Sequence, residues 1–139
     1  MKRLLFDTNV VLDVLLDRRP HAEASAAAWA AVETGACEGM LAAHAVTTIH
    51  YLVRKELGSG KARRIVSAIL RVFGVAAVDS AVVQEALPLP VSDFEDAVTA
   101  AAALLSGCEY IVTRAPRGFR GSPVRLLTPE AVTPLLRKK

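Results

Sequence analysis

Five four-residue runs, largely apolar and separated by segments of helical periodicity, constrain this sequence more than any other feature: Arg3–Phe6, Met40–Ala43, Val75–Val78, Tyr110–Thr113 and Val124–Leu127. Runs this short without polar alternation belong to strands buried on both faces. The segments between them read as helices. Val10 to Leu16 follows a possible cap at Thr8 or Asn9. Pro20 opens a helix that runs to Thr34 and stops at Gly35. Ala45 to Leu57 ends at Gly58, and Gly60 to Val72 ends near Gly74. Ser80 to Leu87 is short. Ser92 to Ser106 begins with Ser-Asp-Phe-Glu, a capping-box pattern with Ser92 as cap and Glu95 as its partner. Thr128-Pro129-Glu130 starts a last helix. Strands alternating with helices predict a parallel sheet covered by helices on both faces.

A chain of 139 residues is the size of one domain and buries about two thirds of its surface on folding. The expectation is a single domain over residues 1–139, with a short basic tail at 137–139. With 53% hydrophobic residues and 5% aromatics, its core must be mostly Ala, Val and Leu, and disorder is excluded for most of the chain. Two cysteines, Cys37 and Cys108, form no CxxC pair and no disulfide framework. No apolar run has the length of a membrane span. An acid at position 7 comes too early for a signal peptide, so the expectation is a cytoplasmic protein with no membrane partner. The net charge of +3 is compatible with a polyanionic partner, but the placement of basic residues matters more.

Ligands in open parallel sheets bind outside the carboxyl ends of the strands. Asp7, with Thr8 and Asn9, ends the first strand. Asp93, Glu95 and Asp96 open a helix. Capping explains Glu95, and first-turn acids favour the helix dipole. Asp96 is harder to explain, because Ala97, Val98, Ala100 and Ala101 follow it and a carboxylate beside an apolar face needs a partner. Acids converging from separate elements make a hard-cation site. Arg114, Arg117 and Arg120 lie in the loop after the fourth strand, at the same sheet end. An acidic centre ringed by arginines suits a polyanion cut at a metal. A second basic group comprises Arg54, Lys55, Lys61, Arg63 and Arg64. Gly58-Ser59-Gly60-Lys61 follows a helix and not a strand, which argues against a phosphate loop. His21, His44 and His50 lack metal-ligand spacing, and His50 beside Tyr51, Leu52 and Val53 reads as a packing residue.

These residues in this order resemble a PIN domain, the small metal-dependent ribonucleases whose best-populated group is the VapC-like toxins of bacterial toxin–antitoxin pairs. Asp7-Thr8-Asn9-Val10, Asp93-Phe94-Glu95-Asp96-Ala97, Tyr110-Ile111-Val112-Thr113-Arg114 and Leu127-Thr128-Pro129-Glu130 carry the resemblance, which spans nearly the whole chain. It implies an α/β fold, a PIN-like three-layer α/β/α sandwich with a short, mostly parallel central sheet of about five strands. It implies an Mg²⁺ or Mn²⁺ site made by Asp7 and Asp96 with Asp93 assisting, and catalysis by the same three residues. Thr8, Asn9, Thr113, Arg114 and Arg117 are the implied substrate-binding residues. His50 and Glu95 become candidates to line the site, where an imidazole favours Mn²⁺. The implied partners are RNA, a cognate antitoxin protein and a second copy of the chain.

Three positions depart from that pattern. The middle helix reads Thr47-Thr48-Ile49-His50 where many PIN domains carry a glutamate, and Ala115 and Gly118 stand where the nearest branch has an amide and a carboxylate. Each lost oxygen ligand lowers metal affinity, so the resemblance implies reduced activity. The alternative is a catalytically degenerate PIN domain that binds RNA or a protein without cleavage. A phosphoacceptor domain using Asp7 or Asp79 ranks lower. A receiver needs paired acids after the first strand, and a dehalogenase-like enzyme needs an acid where Asn9 stands.

Overall fold

The computed structural model describes residues 1–137; of the expected basic tail, Lys138 and Lys139 lie outside the described residues. In chain order the elements are β1 (Arg3–Phe6), α1 (Thr8–Leu15), α2 (Ala22–Glu33), β2 (Glu38–Ala42), α3 (Ala43–Leu57), α4 (Ser59–Ile69), β3 (Gly74–Ala76), α5 (Ser80–Ala86), α6 (Phe94–Leu105), β4 (Tyr110–Val112), β5 (Arg125–Leu127) and α7 (Pro129–Arg137). A 3-10 turn, Pro116–Phe119, sits between β4 and β5. All five strands are parallel, in the order β3-β2-β1-β4-β5. No helix among the described residues is long and apolar enough to cross a membrane.

Residues alternate across the sheet and fill two cores. Leu5 and Ile111 pack with the alanines of α6 and with α5 on one face. Leu4, Phe6, Leu41 and Val112 pack with α1, α2, α3, α4 and α7 on the other. Ala100, Ala101, Ala102 and Ala103 are all fully buried, so α6 lies close against the sheet. This is where the alanine-rich composition is used: small side chains bring the backbone of α6, and the acids at its start, close to the strand ends.

The chain leaves β1 to build β2 and β3 on one side, then crosses to build β4 and β5 on the other. The switch in direction falls between β1 and β4, where such sheets open a ligand crevice. Phe6 lies opposite Val112, so Asp7 and Thr113 form the next rung. Asp7 N donates to Val112 O at 2.9 Å, and Thr113 N donates to Leu127 O at 2.9 Å, which extends the ladder one residue past each strand.

Several element ends differ from the sequence reading. β2 starts at Glu38, because Arg3 Nε pairs with Glu38 Oε2 at 2.7 Å and holds both strands in register. β3 ends at Ala76, short of Val78, and β5 begins at Arg125. α2 begins at Ala22, not Pro20. The expected box of Ser92 and Glu95 does not form. Asp93 is the cap of α6, its Oδ1 accepting from Asp96 N at 3.2 Å. A carboxylate one residue closer to the helix outcompetes the serine, since both chemistries cap equally well.

Candidate active site

Asp7 does two things at once. Its Oδ1 accepts from Thr8 N at 2.8 Å as the cap of α1, so neither Thr8 nor Asn9 is the cap. Its Oδ2 accepts from Thr113 Oγ1 at 2.9 Å. Thr113 is fully buried and its hydroxyl also accepts from Ala115 N at 3.1 Å, which fixes its rotamer. Both carboxylate oxygens are thereby held in one orientation, and each keeps acceptor capacity. Burial raises the Asp7 carboxyl above its ordinary range. The Thr113 and Thr8 hydrogen bonds oppose that rise, Glu95 adds to it and Arg114 opposes it.

Asp96, in the first turn of α6, is half-buried. Its carboxyl is pushed up to about 6, first by burial and then by the charges of Asp7, Asp93 and Glu95. Asp7, Asp93 and Glu95 thus oppose the ionisation of Asp96 at the switch point, and a bound cation would relieve this. Asn9 places a buried amide oxygen with no hydrogen-bond partner two residues from Asp7. Among the described residues no three His, Cys, Asp or Glu side chains converge tightly enough to enclose an ion as they stand. The donor chemistry still fits a hard divalent cation of the kind held by one or two carboxylates with water and substrate phosphates completing the shell. Gly118 faces the same carboxylate: a Cβ there would lie 3.3 Å from Asp96 Oδ2.

Other expected residues fall elsewhere. Arg114 turns inward, its Nε donating to Asp13 Oδ2 at 2.8 Å. Asp13 is fully buried and also accepts from Ser25 Oγ at 3.3 Å, with Arg18 Nη1 at 4.0 Å from its other oxygen. The sequence reading missed Asp13, although an acid inside the apolar run Val10 to Leu16 signals a buried partner. His50 is not brought to the acidic group. It lines a depression between α3 and α4 with Val46, Thr47, Arg63, Val66, Ser67 and Leu70. His44 faces α6 instead, its Nε2 lying 3.2 Å from Thr99 Oγ1. Thr99 Oγ1 also lies 3.1 Å from Glu95 O, and the buried His44 Nδ1 has no partner. Arg117 stays exposed in the 3-10 turn beside Gly118. Asp79 caps α5 through Val82 N at 3.1 Å, which gives it a structural role away from any phosphoacceptor pairing.

A doubly wound parallel α/β domain with a group of carboxylates at its switch point defines the class of protein. The PIN domain family matches residues 3–115, and the chain belongs to that family. No curated protein matches the chain in sequence. Among solved structures it is similar to FitAcB from Neisseria gonorrhoeae, with a TM-score of 0.70 and 22% identity over 91% of this chain and 97% of that one. It is also similar to VapBC2 from Rickettsia felis bound to a promoter DNA fragment, with a TM-score of 0.69 and 11% identity over 91% and 98%. A toxin–antitoxin complex from Klebsiella pneumoniae gives a TM-score of 0.68 and 22% identity over 91% and 97%. At these identities the likeness shows the fold alone: an α/β/α PIN-like sandwich.

Proposed function

We propose that the chain is a divalent-metal-dependent endoribonuclease, the toxin of a VapBC-like pair, restrained by a cognate antitoxin. The observation that carries this reading is the Asp96 carboxyl in the first turn of α6, raised by burial and then by the charges of Asp7, Asp93 and Glu95, at the switch point of a PIN fold. Asp7 and Asp96 would hold Mg²⁺ or Mn²⁺, with Asp93 assisting. When bound, such an ion supplies a Lewis acid for a phosphate oxygen and lowers the pKa of a coordinated water. The chain's own residues orient and exclude. Thr113 and Thr8 N hold the Asp7 carboxylate in one rotamer, so no reorganisation is needed on binding. Asp96, near 6, stays mostly ionised at neutral pH and can exchange a proton with solvent. Gly118 leaves room above Asp96 for a substrate oxygen where a longer side chain would sit.

The test is cleavage of RNA in Mn²⁺ by wild type and by Asp7→Ala. Cleavage by wild type alone supports the reading; equal cleavage by both proteins refutes the site. A second reading, a PIN domain that binds RNA or protein without cutting, is favoured by Ala115 and Gly118, which add no oxygen ligand. Calorimetry separates the two: micromolar Mn²⁺ binding abolished by Asp96→Asn argues against the degenerate form. One of the similar solved structures is a toxin–antitoxin complex, which supports a protein partner for this chain as well.

A further inference from the structure

The arginines that leave β4 do not act as one group. Arg114 is committed to the buried Asp13. Arg117 and Arg120 are exposed and make no ion pair among the described residues. They border an open depression of about 400 Å³ together with Pro90 and Ser92.

That depression has a fixed frame. Phe119, between the two arginines, is 2% exposed and belongs to the core beneath α6. Beyond Arg120, Gly121 has φ +94°, and a Cβ there would lie 2.7 Å from Pro90 O. The arginine turn and the approach to α6 are thus in backbone contact that only glycine permits. Two residues of its rim are chain neighbours of the carboxylate group. Ser92 directly precedes Asp93, the cap of α6, and Gly118, next to Arg117, lies against Asp96.

Two guanidinium groups offer donors only, and a serine hydroxyl adds one more. Such a set recognises a group with several acceptor oxygens and negative charge, and guanidinium geometry matches a phosphate two oxygens at a time. The neighbouring carboxylates repel a lone anion. A strand with a phosphate at every residue can place one phosphate here and another at the carboxylates. We propose that Ser92, Arg117 and Arg120 form a phosphate subsite for single-stranded RNA, seating a phosphate neighbouring the one at the carboxylate group; this rests on the nuclease reading for the identity of the strand.

The test is fluorescence anisotropy with a short labelled single-stranded RNA in EDTA, where no cutting occurs, comparing wild type with Arg117→Ala/Arg120→Ala. Both side chains are exposed, so an unchanged melting temperature serves as the folding control. The expected result is about a tenfold loss of affinity at low salt. The slope of log affinity against log salt should flatten by about 0.7, the share of one single-strand phosphate. Unchanged affinity and slope would overturn the subsite. So would polyglutamate binding wild type as tightly as the RNA and losing as much in the variant, because the pocket would then be a dock for acidic protein. Cleavage by wild type in Mn²⁺ is scored separately. Weakened binding without cleavage keeps the subsite and removes the nuclease reading; cleavage with unchanged binding does the reverse.

Discussion

Replacing Asp96 by Asn should make the metal-free protein more stable, and only above mildly acid pH. The folded chain holds this carboxyl at about 6 against an ordinary 3.8, because ionisation buries charge beside Asp7, Asp93 and Glu95. A raised carboxyl opposes folding when ionised. The penalty is absent below pH 3.8, grows between pH 3.8 and about 6, and is constant above that. A shift of this size corresponds to about 3 kcal/mol for a fully buried group. Asp96 is only half-buried, so solvent screening reduces the figure to on the order of 1 kcal/mol. For a domain of this size that is a gain of roughly 4 °C in melting temperature. Scanning calorimetry in EDTA from pH 4 to pH 8 reads it directly. The variant should match wild type at the acid end and exceed it at the neutral end. Added Mn²⁺ should then stabilise wild type and leave the variant unmoved. A variant that loses stability at neutral pH, or gains it equally at every pH, would show that ionised Asp96 does not oppose folding.

Three further outcomes follow from the same geometry. Asp13→Ala leaves Arg114 without its buried partner and should cost about 3 kcal/mol in urea denaturation. Gly118→Asp places a carboxylate against Asp96, so calorimetry should show tighter Mn²⁺ binding while metal-free stability falls. Gly121→Ala forces a left-handed alanine against Pro90 O and should cost roughly 2 kcal/mol by the same denaturation assay.

The sheet was legible because its strands are buried on both faces and read as bare apolar runs. Asp7 was legible because strand ends are where such sheets bind ligands. Its link to Thr113 was not, since a parallel neighbour 106 residues away leaves no local signal. Ser92 and Asp93 both satisfy the composition of a cap, and only the backbone decides between them. Spacing along α3 tells which histidines share a face, not which neighbour that face meets. His44 meets Thr99 on α6, whereas His50 turns toward α4. The arginine cluster misled for a related reason. Charge could be read from sequence, but the buried carboxylate that claims Arg114 comes from α1.

The proposed site requires Asp7 and Asp96 to act together on one cation. Anomalous diffraction from crystals soaked in Mn²⁺ measures that directly. A single strong peak is expected between the Asp7 and Asp96 carboxylates, lost in Asp96→Asn. No peak there, or one that persists in the variant, would contradict it.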